Sequence, residues 1–367
     1  MSENSTNLLG SFVHSGAKNI KRKHCFSRAD MFKISAVIPC YNEEKTIEKT
    51  VLSCLKQSRK IDQIIVVNDG STDATMDVLA KYRSVITIVD MKQNSGNKSH
   101  AQQQGIRHTT GDIFIMVDAD TELDREFTAL IAKDFLHQDV TAVAGYIKSI
   151  QHNILTGCRE IDYFVGQMIY KRAQSYLNYI YVMPGCATAF RTNFFKENIA
   201  FDHDTITEDL DFTYQTHELK QKIVFNTKAY VYTQDPPTLH SYINQMRRWY
   251  GGGWQNLRKH YKITFKKPSA ALILFLMYAD GLYYSALLLT FPFFNPNIIG
   301  AILFSSYIFA LIFGILGAIT RRRPDLLLSI LIHPLIKLLD TYIFFETFIQ
   351  EIILRRKRMT WFKPQRV

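Results

Sequence analysis

The stretch DIFIMVDAD, residues 112–120, sets the pattern for the first two thirds of this chain. Its apolar run, Ile113 to Val117, is typical of a strand that is buried on both faces of a sheet. Asp118 and Asp120 follow at the predicted carboxyl end of that strand. Two carboxylates at this spacing can share a divalent cation that also binds a diphosphate, because Mg²⁺ and Mn²⁺ take oxygen ligands and keep phosphates in their coordination shell. A solvated loop is the alternative for this motif taken alone.

Three further apolar runs come before this stretch and alternate with segments of helical spacing. The predicted strands are 34–39, 61–69 and 85–90, and the predicted helices are 42–55, 74–82 and 98–109. Such alternation predicts a parallel α/β sheet with helices on both faces. Ligands bind at the carboxyl ends of the strands in these sheets, and Asp69 falls at such an end, as Asp118 and Asp120 do.

Short polar motifs follow the first two strands and open the third predicted helix. These motifs are PCYNE (39–43), NDGSTD (68–73) and GNKSHA (96–101). The Asp69 carboxylate can accept hydrogen bonds from a nucleobase or a ribose, but Asp-Gly and Ser-Thr-Asp sequences also form turns and helix caps. Lys98 can meet a phosphate or simply cap its helix, and PCYNE can be a plain strand-to-helix turn.

Two later motifs carry residue types suited to group transfer. TED, residues 207–209, offers Glu208 and Asp209 as general bases, although acidic residues are also common at the start of a helix. In QMRRW, residues 245–249, Arg248 can neutralise a departing diphosphate and Trp249 can stack on the apolar face of a sugar ring. Anchoring in a membrane interface uses the same residue types and is the alternative.

The positive charge of the chain is concentrated in its last third. The net charge is +11, yet residues 241–367 hold 17 Lys and Arg against 5 Asp and Glu, so the residues before them are close to neutral. The same region contains the runs 270–291 and 298–320, each long enough to span a bilayer. Apolar spans flanked by Lys and Arg are typical of a membrane protein with its basic loops in the cytoplasm. This distribution disfavours a nucleic-acid-binding protein.

A third apolar segment, 326–354, is ambiguous. It is interrupted by residues that are unusual in a span: His333, Pro334, Lys337, Asp340, Glu346 and Glu351. Basic clusters at 321–323 and 355–358 flank it, and both are expected to face the cytoplasm. The segment is therefore predicted to be re-entrant, interfacial or held between partners, and an ordinary third span that breaks the charge rule is the alternative.

The cysteines and the N-terminus exclude a secreted, disulfide-bonded class of protein. There are five cysteines, and no CxxC or Cys/His spacing occurs, so neither a disulfide framework nor a structural zinc site is expected. Residues 1–32 are polar and basic, which predicts a flexible arm, and they contain no apolar core of a secretory signal.

The ordered set PCYNE, NDGSTD, DAD, TED and QxxRW, followed by apolar spans, resembles the family 2 glycosyltransferases with a GT-A fold. Within them it resembles the processive membrane polysaccharide synthases that make cellulose, chitin and hyaluronan. Residues 171–174 and the ending RRKRMTWFKPQR look closest to bacterial poly-N-acetylglucosamine synthases. The resemblance covers residues 33–367. The resemblance departs at one point. Related synthases commonly have spans before the catalytic domain, and none is predicted before residue 33 in this sequence.

The resemblance implies a role for each motif. Pro39, Tyr41, Asn42, Glu43 and Asp69 would hold the uridine, with Lys98 as a further nucleotide contact. Asp118 would bind the nucleotide and the metal, Asp120 the Mg²⁺ or Mn²⁺, and Asp209, beside Glu208, would be the base. Gln245 and Arg248 would contact the diphosphate, while Gly185, Cys186 and Trp249 would border the acceptor.

The expected protein is a membrane-bound, metal-dependent, inverting glycosyltransferase that moves N-acetylglucosamine from a UDP-sugar onto a growing β-linked polysaccharide. Transfer of a single sugar to a lipid-linked or short saccharide acceptor is one alternative, and a non-catalytic nucleotide-sugar-binding membrane subunit is another. A multi-pass protein of the cell membrane is expected, with its catalytic domain facing the cytoplasm. Two or three spans are few to enclose a sugar chain, so export would need an accessory membrane subunit or a homo-oligomer.

The predicted divisions are an arm (1–32), a Rossmann-like GT-A domain of mixed sheet (33–240), interfacial helices (241–267), a transmembrane region (268–354) and a basic tail (355–367).

Overall fold

The computed structural model describes residues 32–150, 153–266, 268–290, 293, 295 and 297–359. The predicted flexible arm, apart from residue 32, lies outside the described residues, and so does the end of the predicted basic tail, 360–367. The described cysteines, Cys40, Cys54, Cys158 and Cys186, are buried free thiols.

The core is a mixed sheet of eight strands in the order β3-β2-β1-β4-β7-β6-β8-β5. The strands are β1 (Ile34–Cys40), β2 (Gln63–Asp69), β3 (Thr87–Met91), β4 (Ile113–Met116), β5 (Thr121–Leu123), β6 (Val140–Ile150), β7 (Thr188–Arg191) and β8 (Lys222–Gln234). Strands β1 to β4 pair in parallel, as the alternation of strands and helices predicts. The other half is mixed, because β7 runs antiparallel to both β4 and β6, and β5 runs antiparallel to β8.

Helices cover both faces of the sheet and then leave it. Those of the first part are α1 (Ile47–Leu55), α2 (Thr75–Ala80), α3 (Lys98–Arg107), α4 (Phe127–Asp134), α5 (Ile154–Val165), α6 (Arg172–Tyr176), α7 (Thr192–Asn198) and α8 (Glu208–Glu218). A π-helical turn, Gly166–Lys171, joins α5 to α6. The later helices are α9 (Leu239–Lys259), α10 (Ile263–Lys266), α11 (Pro268–Thr290), α12 (Asn297–Arg321), α13 (Leu326–Ser329) and α14 (His333–Phe348), with a π-helical turn at Ile349–Ile353.

Several element boundaries differ from the sequence-based ones around the predicted site. Strand β4 ends at Met116 rather than Asp120, so Asp118 and Asp120 lie in the turn between β4 and β5. Helix α1 begins at Ile47 rather than Asn42, since Asn42 has a positive φ of 53°, which a right-handed helix cannot contain. Both changes place polar side chains on turns at the carboxyl edge of the sheet.

Helix α9 is continuous through its three glycines, Gly251 to Gly253. A Cβ added at Gly252 would lie 2.3 Å from Thr207 Oγ1 and 2.9 Å from Thr207 Cβ, so only glycine allows this close approach. Asn256, one turn further on, donates to Thr207 O at 3.2 Å and to Thr207 Oγ1 at 3.0 Å. Helix α9 therefore packs directly against the residue that precedes α8.

Helices α11 and α12 are long and apolar enough to cross a membrane, with 23 and 25 residues. The third apolar segment has a different structure, because it divides into α13, α14 and a π-helical turn. Its charged residues pair with the preceding parts of the chain. The pairs are Lys337 with Asp162 (2.9 Å), Asp340 with the Tyr242 hydroxyl (2.7 Å), Glu346 with Arg247 (2.9 Å) and Glu351 with Gln255 (2.9 Å). These contacts account for the polar residues that make the segment atypical as a span.

Candidate active site

A large cavity of about 1370 Å³ lies at the carboxyl ends of β1 and β2 and beside the turn after β4. It continues past the start of α8 and along α9 to the facing sides of α11, α12 and α14. Tyr278, Phe309 and Phe344 line that far end. The cavity therefore connects the polar edge of the sheet with the apolar helices.

The residues that the sequence motifs single out meet in this cavity, although they come from seven separate segments. It is lined by Pro39, Tyr41, Glu43, Asp69, Lys98, Asp118, Asp120, Gly185, Cys186, Glu208, Asp209, Gln245, Arg248 and Trp249. Asn42 does not line it. The Asn42 side-chain oxygen accepts a hydrogen bond from the Thr72 backbone N–H at 2.7 Å, so Asn42 ties the turn after β1 to the turn after β2.

Asp69 is fixed at the end of β2 by a neighbouring loop. Ser95 donates to its carboxylate from the backbone N–H at 2.9 Å and from the hydroxyl at 2.8 Å. The loop comes close because Gly70, at φ +68°, has no Cβ; an added one would lie 2.5 Å from the Asn94 nitrogen. Sequence reasoning missed Ser95, since no motif surrounds it and only the folded loop brings it to Asp69.

Lys98, the first residue of α3, sits among three carboxylates. Its ammonium lies 2.5 Å from Asp118 Oδ1 and 3.6 Å from Glu208 Oε1. Burial alone would lower the pKa of Lys98, but the charges of Asp118, Glu208 and Asp209 outweigh it and raise the pKa. Lys98 is therefore a cation that links Asp118 of the DAD motif to Glu208 of the TED motif. Its helix is capped by the Asn97 side chain, which accepts from the Ser99 N–H, so capping is not the role of Lys98.

Asp209 lies in the first turn of α8, and its Oδ2 accepts a hydrogen bond from the Gly185 backbone N–H at 3.3 Å. Burial, and next the negative charge of Glu208, raise the pKa of Asp209 to about 6, against the opposing charges of Lys98 and Arg248. A carboxylate with this pKa is mostly ionised at neutral pH and is still basic enough to accept a proton, which suits a general base.

Helix α9 supplies one wall of the cavity. Gln245, Arg248 and Trp249 are three and four residues apart, which places them on one face of the helix. Gln245 is 8% exposed, and its Oε1 accepts no hydrogen bond within the described part of the chain. A buried amide oxygen without a donor is suited to a ligand that brings its own N–H or O–H groups.

The donor atoms of the DAD motif suit a hard divalent cation. Asp118 and Asp120 offer carboxylate oxygens on one turn, and Asp120 is only 6% exposed. The Lys98 ammonium lies beside Asp118, so a cation would share that carboxylate with a lysine. Another acidic group, formed by Asp202, Asp204 and Asp211, surrounds the Lys259 ammonium at 2.7 to 3.0 Å, and Asp211 also contacts the His260 ring at 2.6 Å. That group does not line the cavity, so it is not assigned the metal of this site.

Two residues without an assigned role also line the cavity. Lys171 is buried, and burial lowers its pKa to about 8. The Tyr181 hydroxyl lies 2.7 Å from that of Tyr278 on α11, which joins the catalytic side of the cavity to the apolar side. Residues 171–174 contributed to the family resemblance, but no site role was predicted for Lys171, and Tyr181 stands in none of the polar motifs.

Comparison with known proteins shows what the first part of the chain is similar to. Residues 35–198 match the family model for glycosyl transferase family 2. The chain is 26% identical over 254 residues to poly-β-1,6-N-acetyl-D-glucosamine synthase of Staphylococcus epidermidis, covering 65% of this chain and 59% of that relative. It is 27% identical over 248 residues to the synthase of the same name from Staphylococcus aureus strain COL. The match spans less than two thirds of the length of these relatives.

A solved structure supports the fold over nearly the whole chain. The mannosyltransferase PcManGT from Pyrobaculum calidifontis, in complex with GDP-Man and Mn²⁺, superposes with a TM-score of 0.58 at 17% identity, covering 89% of this chain and 88% of that chain. The predicted GT-A fold and the family resemblance are confirmed. Residues 35–198 resemble the glycosyl transferase family 2 domain, and the comparisons support a glycosyltransferase.

Proposed function

We propose that this glycosyltransferase moves N-acetylglucosamine from UDP-N-acetylglucosamine to a hydroxyl group of a growing β-linked saccharide, with inversion at the anomeric carbon. The observation that carries the proposal is the position of Asp209. It lies in the same cavity as the DAD carboxylates and Arg248, and its pKa is raised to about 6. A base beside a site for a leaving diphosphate is the arrangement that a single inverting displacement needs.

Four of the motif residues that line the cavity have the following parts in this reaction. Asp69 would accept hydrogen bonds from the uridine, and Arg248 and Gln245 would contact the diphosphate. Asp209 would take the proton of the acceptor hydroxyl as its oxygen bonds to the anomeric carbon. The bond from that carbon to the UDP oxygen breaks in the same step, and the electron pair leaves with UDP. The Arg248 guanidinium would neutralise the charge that develops on the diphosphate.

Asp118 and Asp120 would hold a Mg²⁺ or Mn²⁺ ion, which supplies further neutralisation of the diphosphate when bound. The oxygen donor set and the burial of Asp120 support this assignment. Lys98, at 2.5 Å from Asp118, would orient this carboxylate before the donor binds.

The choice of sugar and product is supported by the relatives, whose name contains a β-linked N-acetylglucosamine polymer. The length of the cavity supports an acceptor longer than one sugar, because it runs from Asp209 to Tyr278 on α11. A location in the cell membrane, with the catalytic domain on the cytoplasmic side, is supported by α11 and α12 and by the basic residues at the inner ends.

The test is turnover of a panel of UDP-sugars by detergent-purified protein, with Mg²⁺, with Mn²⁺ and with EDTA. We expect UDP release with UDP-N-acetylglucosamine, loss of release in EDTA, and restoration by either ion. Product length is measured with radiolabelled donor. Products of one added sugar would overturn the polymer assignment, and full turnover in EDTA would overturn the metal assignment.

The matched variants are Asp120→Asn and Asp204→Asn. Asp120 is in the DAD motif, and Asp204 is in the acidic group around Lys259. We expect only Asp120→Asn to lower turnover and to weaken the response to metal. Equal losses in both variants would contradict the site.

A further inference from the structure

Arg159 on α5 is a buried cation outside the sequence motifs and outside the cavity lining. It is only 5% exposed and lies behind the wall that α9 forms. A buried guanidinium is costly unless it is paired and packed, so its surroundings should explain its presence.

The guanidinium of Arg159 lies over aromatic rings of two elements. Its Cζ is 4.8 Å from the ring centroid of Trp249, 5.6 Å from that of Tyr242 and 5.0 Å from that of Tyr163. Tyr242 and Trp249 belong to α9, and Tyr163 is one turn further along α5. Its Nη1 also lies 3.9 Å from the Met246 sulfur. The Arg159 side chain thus fills the space between α5 and the side of α9 that carries Tyr242, Met246 and Trp249.

Two carboxylates hold Arg159 in this position. Asp162 Oδ2 lies 3.5 Å from its Nη1, and Asp235 Oδ1, directly after β8, lies 3.8 Å from its Nε. Asp235 is oriented by the Tyr163 hydroxyl, which donates to it at 3.0 Å. Asp162 is in turn bound by Lys337 of α14 at 2.9 Å. The cation is therefore fixed by elements that do not move with the Trp249 side chain.

Trp249 lines the cavity and packs against the apolar cluster that contains Tyr242 and Met246. Within the described residues its indole makes no hydrogen bond, so its polar contact is the one with Arg159. A ring that borders an open cavity can rotate about two side-chain dihedrals unless something on its closed side favours one orientation. A guanidinium stacked against its face supplies this preference through packing and through attraction to the ring electrons.

We propose that Arg159 is a positioning residue that holds the Trp249 ring against the acceptor side of the cavity. The proposal rests on the proposed function in one respect, which is that Trp249 borders the acceptor saccharide. Arg159 itself touches neither substrate. Its loss should therefore weaken acceptor binding and leave donor binding and donor activation intact.

The experiment compares Arg159→Met and Arg159→Lys with Arg321→Met. Arg321 is a matched control because its side chain is only 10% exposed and its Cζ lies 4.6 Å from the ring centroid of Tyr146. It also pairs with Glu160, the neighbour of Arg159. It does not line the cavity. Arg159→Lys keeps a positive charge between Asp162 and Asp235, so it guards against a variant that fails to fold, but it lacks the planar group that stacks.

Steady-state kinetics are measured with UDP-N-acetylglucosamine and a short β-linked N-acetylglucosamine oligosaccharide as acceptor. We expect KM for the acceptor to rise about tenfold in Arg159→Met and by a smaller factor in Arg159→Lys. KM for the donor, and the slow release of UDP without acceptor, should stay as in the wild type. Arg321→Met should leave both KM values unchanged.

A double-mutant cycle with Trp249→Leu decides whether Arg159 acts through the ring. If it does, Arg159→Met adds little to the acceptor KM once Trp249 is gone. Independent, multiplying effects would overturn the proposal, and so would a wild-type acceptor KM in both Arg159 variants. Failure of the proposed function is a separate outcome, because the wild-type protein would then release no UDP from this donor at all.

Discussion

Asp209 gains its chemistry from the groups around it rather than from its position in a motif. Burial makes the charged form less favourable, and Glu208 adds a like charge on the next residue. Lys98 and Arg248 limit the effect, and the Gly185 N–H fixes one carboxylate oxygen. The result is a carboxylate that is directed at the cavity and ready to accept a proton near neutral pH.

The pH dependence of turnover follows from this balance. Asp209 acts as a base only when ionised, and its pKa is raised to about 6. We therefore expect kcat/KM to be highest above that value and to fall about tenfold per pH unit below it. Asp209→Asn should lower turnover by about 10²- to 10⁴-fold and abolish this acidic limb in the pH profile.

The control is Asp202→Asn, which changes an exposed carboxylate paired with Lys259. It should keep both the rate and the acidic limb. A profile of Asp209→Asn that still falls through pH 6 would show that another group is the base, and the assignment of Asp209 would then be wrong.

At this scale, sequence reasoning located residues at strand ends but could not orient them. Asp69 and Asp118 were predictable because apolar runs end directly before them. The turn of Asn42 toward Thr72 depends on a positive φ that the motif PCYNE does not encode. The hydrogen bond from Gly185 to Asp209 joins residues 24 positions apart, so no local pattern could predict it.

At the scale of elements, the contact between α9 and the start of α8 positions Glu208 and the proposed base, Asp209. Thr207 precedes Glu208 and receives the Asn256 side chain, while Gly252 leaves room for its Cβ. The same helix carries Gln245 and Arg248 two turns earlier. One helix therefore sets the spacing between the proposed diphosphate contacts and the proposed base.

Adding one methyl group should test this contact. Gly252→Ala places a Cβ within 2.3 to 2.9 Å of Thr207 atoms, so α8 must shift. We expect a loss of about 1–3 kcal/mol in the free energy of unfolding and a fall in turnover. Thermal unfolding in detergent and UDP release measure the two effects.

The neighbouring Gly251→Ala is the matched control, because its Cβ would meet only Glu351 Oε1 at 3.8 Å. Alanine is the better helix former, so this variant should be equal in stability or up to about 1 kcal/mol more stable. Equal behaviour of the two variants would contradict the view that the close approach at Gly252 matters.

The sheet shows how far pattern reasoning reaches at this scale. The parallel half follows from strands and helices that alternate along the chain. The mixed half was less predictable, since β7 and β8 follow helical segments and pair with strands far away in sequence. Partner choice there depends on tertiary packing, which the period of apolar residues does not report.

At the scale of the whole molecule, the start of α11 and the end of α12 both contact the region that precedes them in the chain. Ala270 and Ile273 of α11 pack in a cluster with Tyr179 and Trp254. At the other end, Arg321 of α12 stacks on Tyr146. Both contacts place these ends on the side of the catalytic domain, which is the side that the positive-inside rule assigns to the Arg321 cluster.

Attachment to a bilayer should depend on the exposed apolar side chains of α11 and α12 rather than on charge. Phe275, Phe304 and Ile319 expose 67%, 69% and 70% of their surfaces, which water would disfavour strongly. We therefore expect the protein in isolated membranes to stay with the pellet in high salt and at alkaline pH, and to be released by detergent. Salt screens the attraction between basic residues and anionic lipid but leaves apolar burial intact.

A variant of the basic tail separates the two contributions. Arg355→Gln, Arg356→Gln and Lys357→Gln together remove exposed charges without touching α11 or α12. The triple variant should remain as firmly attached as the wild type. The two apolar helices bury many CH₂ groups, each contributing about 0.8 kcal/mol, while each of the three charges removed adds only about 1 kcal/mol. Release of the wild-type protein by salt, or loss of attachment in this variant, would mean that the chain is held at the membrane surface by charge and that α11 and α12 do not cross it.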